Sequence, residues 1–226
     1  MTVPPVTLIP APEDGVWRLG WALDPIRFNQ VEPETFSGSA AGRFSLFSFG
    51  MLYCASAPTG CYAEALTYHR VGQEIRELMS DAKPSSDLMD IGQLPSSWRE
   101  NRLLVRLRPA SGSRFLDVDS EATRKILAEA LHSEFDRWNV TGPLTDDHIH
   151  GKDRRIARQI AAWAVAQRNE EGHQLIQGIA YRSGYGGRQC WAILRDTELH
   201  ELERRTIQVE DPELHEVARE YGLTVR

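Results

Sequence analysis

The stretch Met51-Leu52-Tyr53-Cys54-Ala55-Ser56-Ala57-Pro58-Thr59-Gly60-Cys61-Tyr62-Ala63-Glu64-Ala65-Leu66 changes its period halfway along. Met51 to Ser56 is a short apolar and aromatic run of the kind that fills a strand, and Pro58-Thr59-Gly60 breaks it. Beyond the break Tyr62, Ala65, Leu66 and His69 recur at helical spacing, so a helix is expected to begin near residue 60 with Thr59 as its cap. Glu64 then falls on the first or second turn of that helix.

Upstream, Arg43 to Ser48 forms another aromatic-rich run, separated from Met51 by Phe49-Gly50, and the two runs have the pattern of a tight strand pair. Val16 to Ala22 reads as a first strand ended by Pro25, and the proline-bearing, aperiodic stretch from Asp24 to Gly42 as a loop. Downstream, residues 80–99 are rich in Ser, Asp and Pro and read as an inserted excursion with one helical turn. Leu103 to Leu107, stopped by Pro109, and Arg114 to Val118 read as strands. Ser120 is expected to cap a helix running to about Glu134, with Ile126, Leu127, Ala130 and Leu131 on its apolar face. Lys152 to Asn169 places Ile156, Ile160, Trp163, Ala164 and Gln167 on one helical face, with Gly172 as its end. Apolar segments at Leu175–Tyr181, Cys190–Leu194 and Thr206–Val209 follow, then a final helix from Pro212. Strands clustered at both ends with helices between them define an α+β domain.

The bulk properties agree. With 226 residues, 41% hydrophobic and 26% charged, the chain can bury one sizeable core, and no stretch is poor enough in apolar residues to be a linker. Residues 1–15 hold several prolines and no basic n-region, which fits neither a signal peptide nor a helix. No run of about 18 apolar residues is present to cross a bilayer, so no membrane contact is expected. Cys54, Cys61 and Cys190 form an odd set without a C-x-x-C pair, which speaks against a disulfide framework and a thiolate zinc site and suits a reducing cytoplasm. A net charge of −6 and a pI near 5.7 are wrong for direct binding to nucleic acid and better matched to a basic protein partner.

Three segments carry polar residues in an ordered array: Gly42-Arg43-Phe44, Leu52-Tyr53-Cys54-Ala55-Ser56 and Ala63-Glu64-Ala65-Leu66. Tyr53 follows Arg43 by ten residues and Glu64 follows Tyr53 by eleven, and a late segment, Gly178-Ile179-Ala180-Tyr181-Arg182-Ser183, completes the set. Together they resemble the RES-domain family, whose pattern is a Gly-Gly-Arg-Trp-like strand, a Leu-Tyr strand, a helix bearing Glu and a closing Gly-Ile-x-Tyr-x-Ser strand. The resemblance spans residues 16–196, with Ala41 and Phe44 in place of the usual Gly and Trp, and Arg182 in a place often held by Pro. It implies a single ADP-ribosyltransferase-like domain over 16–226, with a mixed, mostly antiparallel β core flanked by helices. Residues 1–15 would be an N-terminal extension, and insertions are expected near 70–101 and 133–152.

The resemblance also implies a toxin that cleaves NAD⁺ at the nicotinamide–ribose bond, by hydrolysis or phosphorolysis, with NAD⁺ as substrate and no cofactor. Arg43, Tyr53, Glu64 and Ser183 would be catalytic, and an Xre-type antitoxin would restrain the enzyme in a hetero-oligomer, with self-association also open. The chemistry is consistent. Loss of nicotinamide leaves an oxocarbenium-like ribose, which a fixed carboxylate such as Glu64 stabilises. Arg43, with Arg18 as a second contact, offers the planar fork that pyrophosphate accepts, and Tyr53 offers an aromatic face for the nicotinamide cation. Ser183 has no neighbouring base in its motif and is expected to orient Arg43, Glu64 or substrate rather than to attack. Transfer of ADP-ribose to a host protein, or a non-catalytic binding domain on the same fold, are the other readings.

Weaker patterns take bland readings. Gly184-Tyr185-Gly186-Gly187-Arg188 lacks the Lys-Ser/Thr of a phosphate loop and reads as a strand connection. Asp146-Asp147-His148-Ile149-His150 alternates imidazoles but precedes a helix, so no metal site is expected. Arg154, Arg155 and Arg158 read as a solvated helix face, and Cys61 as a small buried thiol.

Overall fold

The computed structural model describes residues 5–31, 42–47, 49–72, 74–75, 77 and 92–226. Among these, ten strands and seven α-helices follow one another. The strands are β1 (Leu8–Pro10), β2 (Val16–Trp21), β3 (Met51–Ala55), β4 (Gln93–Leu94), β5 (Arg102–Pro109), β6 (Arg114–Asp117), β7 (Gly178–Arg182), β8 (Gln189–Leu194), β9 (Leu199–Thr206) and β10 (Thr224–Val225). The helices are α1 (Pro58–Leu66), α2 (Ser96–Glu100), α3 (Glu121–Ala130), α4 (His132–Asp136), α5 (Asp146–His150), α6 (Arg155–Ala166) and α7 (Pro212–Tyr221). Eight strands form one sheet in the order β1-β6-β7-β8-β3-β2-β5-β9, while β10 and β4 make a small parallel pair. Only β6 and β7 run parallel within the large sheet, so the expected α+β domain with a mixed, mostly antiparallel core is what forms.

The pleat sorts the side chains. In β3, Leu52 and Cys54 join a cluster with Val16, Val105, Trp191 and Ile193 on one face. Met51 and Ala55 turn to the other face, where Tyr62 and Leu66 of α1, Leu127 of α3, Ile160 and Ala164 of α6, and Leu214 and Val217 of α7 complete the larger core. Residues 5–15 are tied into this body. β1 pairs with β6, and Thr7 bonds Ser120 and Thr123 at the start of α3.

Several expectations are corrected. Of the run Arg43–Ser48, Ser48 lies outside the described residues and 43–47 is not a strand: Gly42 to Ser45 is a turn closed by the Ser45 amide on the Gly42 carbonyl (3.2 Å), and Leu46 and Phe47 make isolated bridges. Helix α1 starts at Pro58, whose fixed φ suits the first helical position, so Ala57 occupies the cap and Thr59 lies within the first turn. Ser120 stands at the cap of α3 but spends its hydroxyl on Thr7, and the helix breaks at Leu131 before resuming as α4. The helix predicted over 152–169 is confined to Arg155–Ala166, and Gly172 lies beyond it in a turn. Thr206–Val209 is not a strand of its own. The strand there is Leu199–Thr206, a charged and largely exposed run on the sheet edge, where charge blunts the edge and hides the strand from an apolar reading. Of the excursion at 80–99, residues 80–91 lie outside the described residues, and Ser96–Glu100 supplies the helical turn. The segment 32–41 of the expected loop also lies outside them. Among the described residues no helix is long and apolar enough to cross a membrane.

Candidate active site

The strand-to-helix unit β3–α1 sets one wall of a cavity of about 680 Å³. Helix α1 begins three residues after β3 and carries Glu64 on its second turn, half-buried and facing the cavity. Across from it, Ser183 directly follows β7 and is 4% exposed. Its Oγ donates to Glu64 Oε1 at 2.5 Å and accepts from the Tyr185 amide at 3.0 Å. One carboxylate oxygen is thereby fixed.

Arg43 reaches the same cavity because of its turn. Phe44 is fully buried with its ring edge on Tyr181 (5.1 Å between centroids), Ser45 is also buried, and Arg43 between the pocket and these anchors stays half-exposed. Tyr53 holds the turn from below: its hydroxyl accepts from the Phe44 amide and bonds Ser45 Oγ, each at 3.0 Å. The approach is close enough to demand glycine at 42, since a Cβ there would sit 2.3 Å from the Tyr53 ring. Burial pushes the Tyr53 phenol up to about 12, so it remains a neutral hydroxyl.

The Arg43 guanidinium donates through Nη1 to the carbonyls of Ile149 (3.0 Å) and Gly151 (2.8 Å), pinning the end of α5 against the cavity. Burial lowers its pKa from the ordinary value, with Arg154 acting in the same direction against Tyr181 and Glu64. Arg18, on β2, donates Nη1 to the Tyr53 carbonyl at 3.0 Å, and its buried Nε has no partner among the described residues. All five residues singled out from the sequence are therefore brought together: Arg18, Arg43, Tyr53 and Glu64 line the cavity, and Ser183 lies behind Glu64.

Other residues share the wall that sequence patterns did not assign. Tyr181 lay inside the late motif and Tyr185 inside the glycine-rich run, so both were in view without a role. Arg154, expected on a solvated helix face, instead lines the cavity just before α6, and with it His150, because Arg43 holds their segment there. The glycine-rich run itself is the β7–β8 connection, with Gly186 at φ +78° in its turn. Cys54, Cys61 and Cys190 are buried and free, and burial raises all three thiols, Cys61 to about 12. That suits packing, not nucleophilic attack.

Asp119, Asp146 and His150 bring one ligand-type atom each within 4.8 Å of one another. Arg124 Nη2 already bonds both carboxylates, at 3.3 Å to Asp119 and 2.7 Å to Asp146, so a guanidinium fills the place a cation would take.

A mixed α+β domain with a polar cavity between a β3–α1 unit and the end of β7 is the class that fold and geometry define. The sequence matches the RES domain over residues 16–215, nearly the whole chain and on into α7, and the protein belongs to the RES-domain family. Its fold is similar to that in the crystal structure of the M. tuberculosis MbcT–MbcA toxin–antitoxin complex, with a TM-score of 0.50 and 14% identity over 93% of this chain and 91% of the other. No curated protein matches the chain.

Proposed function

We propose that this protein cleaves NAD⁺ at the bond between nicotinamide and ribose, and that it acts as a toxin held in check by an antitoxin. The observation that carries the reading is the Ser183–Glu64 contact at 2.5 Å on the wall of a cavity that also receives Arg18 and Arg43. A cavity of about 680 Å³ is of the size that takes an extended nucleotide.

With Oε1 held by Ser183, Glu64 Oε2 is directed to the ribose. There it binds the hydroxyls and offsets the positive charge that develops as the C1′–N bond breaks and nicotinamide leaves with the electron pair. Arg43 offers its planar fork to the pyrophosphate while Nη1 holds residues 149–151, and Arg18 adds a second cation on the same wall. Tyr53 fixes the Arg43 turn through its hydroxyl, and its ring, with Tyr181 and Tyr185, supplies aromatic surface for nicotinamide.

The toxin role is supported by membership of the family together with a fold similar to a protein solved in a toxin–antitoxin complex. An antitoxin of Xre type would bring the DNA contacts for which a chain of net charge −6 is ill suited. The test is incubation of the purified protein with NAD⁺, with and without phosphate, and mass analysis of the products. Free nicotinamide with ADP-ribose or its phosphorylated counterpart is expected. Intact NAD⁺ would overturn the reading, and ADP-ribose attached to an added protein would replace it by transfer.

A further inference from the structure

Beyond the motif positions, one half-buried polar network reaches the same cavity from behind. Strand β7 pairs with β6 as far as Asp117↔Ala180, and the Val118 amide adds one more bond to the Ala180 carbonyl (3.2 Å). Past that point β6 has ended, and the Arg182 amide would face it without a backbone acceptor. The Asp119 side chain takes over: its Oδ2 accepts from the Arg182 amide at 2.6 Å, one residue before Ser183. Its Oδ1 bonds His150 Nε2 at 2.7 Å and accepts from Arg124 Nη2 at 3.3 Å. Residue 150 is itself bracketed, since the carbonyls on both sides of it accept from Arg43 Nη1. A continuous path of contacts thus runs from Arg43 through 149–151, His150 and Asp119 to the strand end that bears Ser183, and so to Glu64.

We propose that Asp119 and His150 are positioning residues of the active site: Asp119 extends the β6–β7 ladder so that Ser183 stands where it can hold Glu64, and His150 ties the segment clamped by Arg43 to that carboxylate. The inference rests on the NAD⁺-cleaving reading above. His150 and Asp119 are only 18% and 19% exposed, and a carboxylate so placed costs free energy unless its oxygens are bonded. Burial alone would raise the Asp119 pKa, but the bonds from His150 and the Arg182 amide and the charges of His150 and Arg124 hold it below its ordinary value. The pair therefore stays ionised on its carboxylate side and keeps both oxygens as acceptors throughout the neutral range. Among the described residues no hydrogen bond joins Asp119 to Glu64, and the path between them runs through the strand end that bears Ser183.

The test is a cycle of folded variants assayed for NAD⁺ turnover: Asp119→Ala, Ser183→Ala, the double variant, His150→Ala and His150→Gln. Asp119→Ala should lower kcat by roughly ten- to a hundredfold, with a smaller change in KM, as displacement of a catalytic group by about 1 Å does. In the Ser183→Ala background the same change should add less than about twofold, because groups acting as a unit are not additive. His150→Gln, whose amide can still donate to Asp119, should recover most of what His150→Ala loses. Losses that multiply in the double variant, or no recovery with glutamine, would overturn the positioning role while leaving NAD⁺ cleavage intact. If the wild-type protein leaves NAD⁺ untouched, the functional reading fails, and a crystal structure of Asp119→Ala decides the inference. Separation of Ser183 Oγ from Glu64 Oε1 beyond about 3.5 Å supports it, and an unchanged contact overturns it. Should Asp119→Ala not fold, Asp119→Ser, whose shorter side chain does not reach the Arg182 amide, is read in the same way.

Discussion

The two walls of the cavity are assembled differently. The Arg43–Tyr53–Glu64 wall comes from a turn, a strand and a helix that are near neighbours in the chain, so its spacing is written in the sequence. The opposite wall, backed by Ser183 and Asp119, is gathered from afar: Asp119 lies 31 residues from His150 and 63 from Arg182, and Ser183 lies 119 residues from Glu64. Local chemistry dominates the first wall and long-range hydrogen bonding the second. The first should carry substrate contacts and the second their alignment.

The largest effect should fall on the first wall. Glu64→Gln keeps the volume and removes the charge that faces the developing cation, so NAD⁺ turnover should drop by about two to three orders of magnitude or more while the circular dichroism spectrum stays unchanged. Near-normal turnover by the folded variant would dissolve the distinction between the walls.

Arg43→Lys comes next, because one ammonium cannot both bond the 149–151 carbonyls and present a planar fork. A rise in KM together with a fall in kcat, amounting to about ten- to a hundredfold in kcat/KM, is expected from steady-state kinetics. A change in neither constant would place Arg43 outside the substrate site.

Much of this first wall was legible. The change of period at Pro58 placed β3 and α1, and the four polar positions named from the sequence do converge. What misled was the Arg43–Ser48 run: its aromatic residues read as a strand, yet Phe44 and Ser45 are buried as the anchors of a turn. Turn and strand share the same composition there, and only contacts beyond the run, with Tyr53 and the distant Tyr181, decide between them. β9 failed for the opposite reason, since an edge strand covered in charge has no apolar period to detect. Asp119 carried no local signal, and His150 stood out only as one of two alternating imidazoles, because the partners that place them beside the site are distant in sequence.

Tyr53→Phe sharpens the account of that turn. Removing the hydroxyl leaves the Phe44 amide unbonded in a buried place, which costs about 1–3 kcal/mol of stability, visible as a lower denaturation midpoint. An unchanged midpoint would show that the Phe44 and Tyr181 packing alone sets Arg43.

The smallest effect probes the second wall. The Asp119 pKa is lower in the folded state, so its contribution to stability is present above the unfolded value of about 3.9 and is lost as pH falls through the folded value. The stability gap between wild type and Asp119→Asn, followed by urea denaturation, should hold from pH 7 to 5 and narrow below about pH 4. A gap that widens on acidification would mean that Asp119 is not held as a carboxylate.

The central claim is that the pocket around Glu64 consumes NAD⁺ and that the chain is toxic for that reason. The most direct measurement is expression in a bacterium without any antitoxin, following growth and cellular NAD⁺ together for wild type and Glu64→Gln. Growth arrest accompanied by a fall in NAD⁺ in the wild type, and neither in the variant, is the predicted result. Arrest at constant NAD⁺, or equal toxicity of Glu64→Gln, would contradict it.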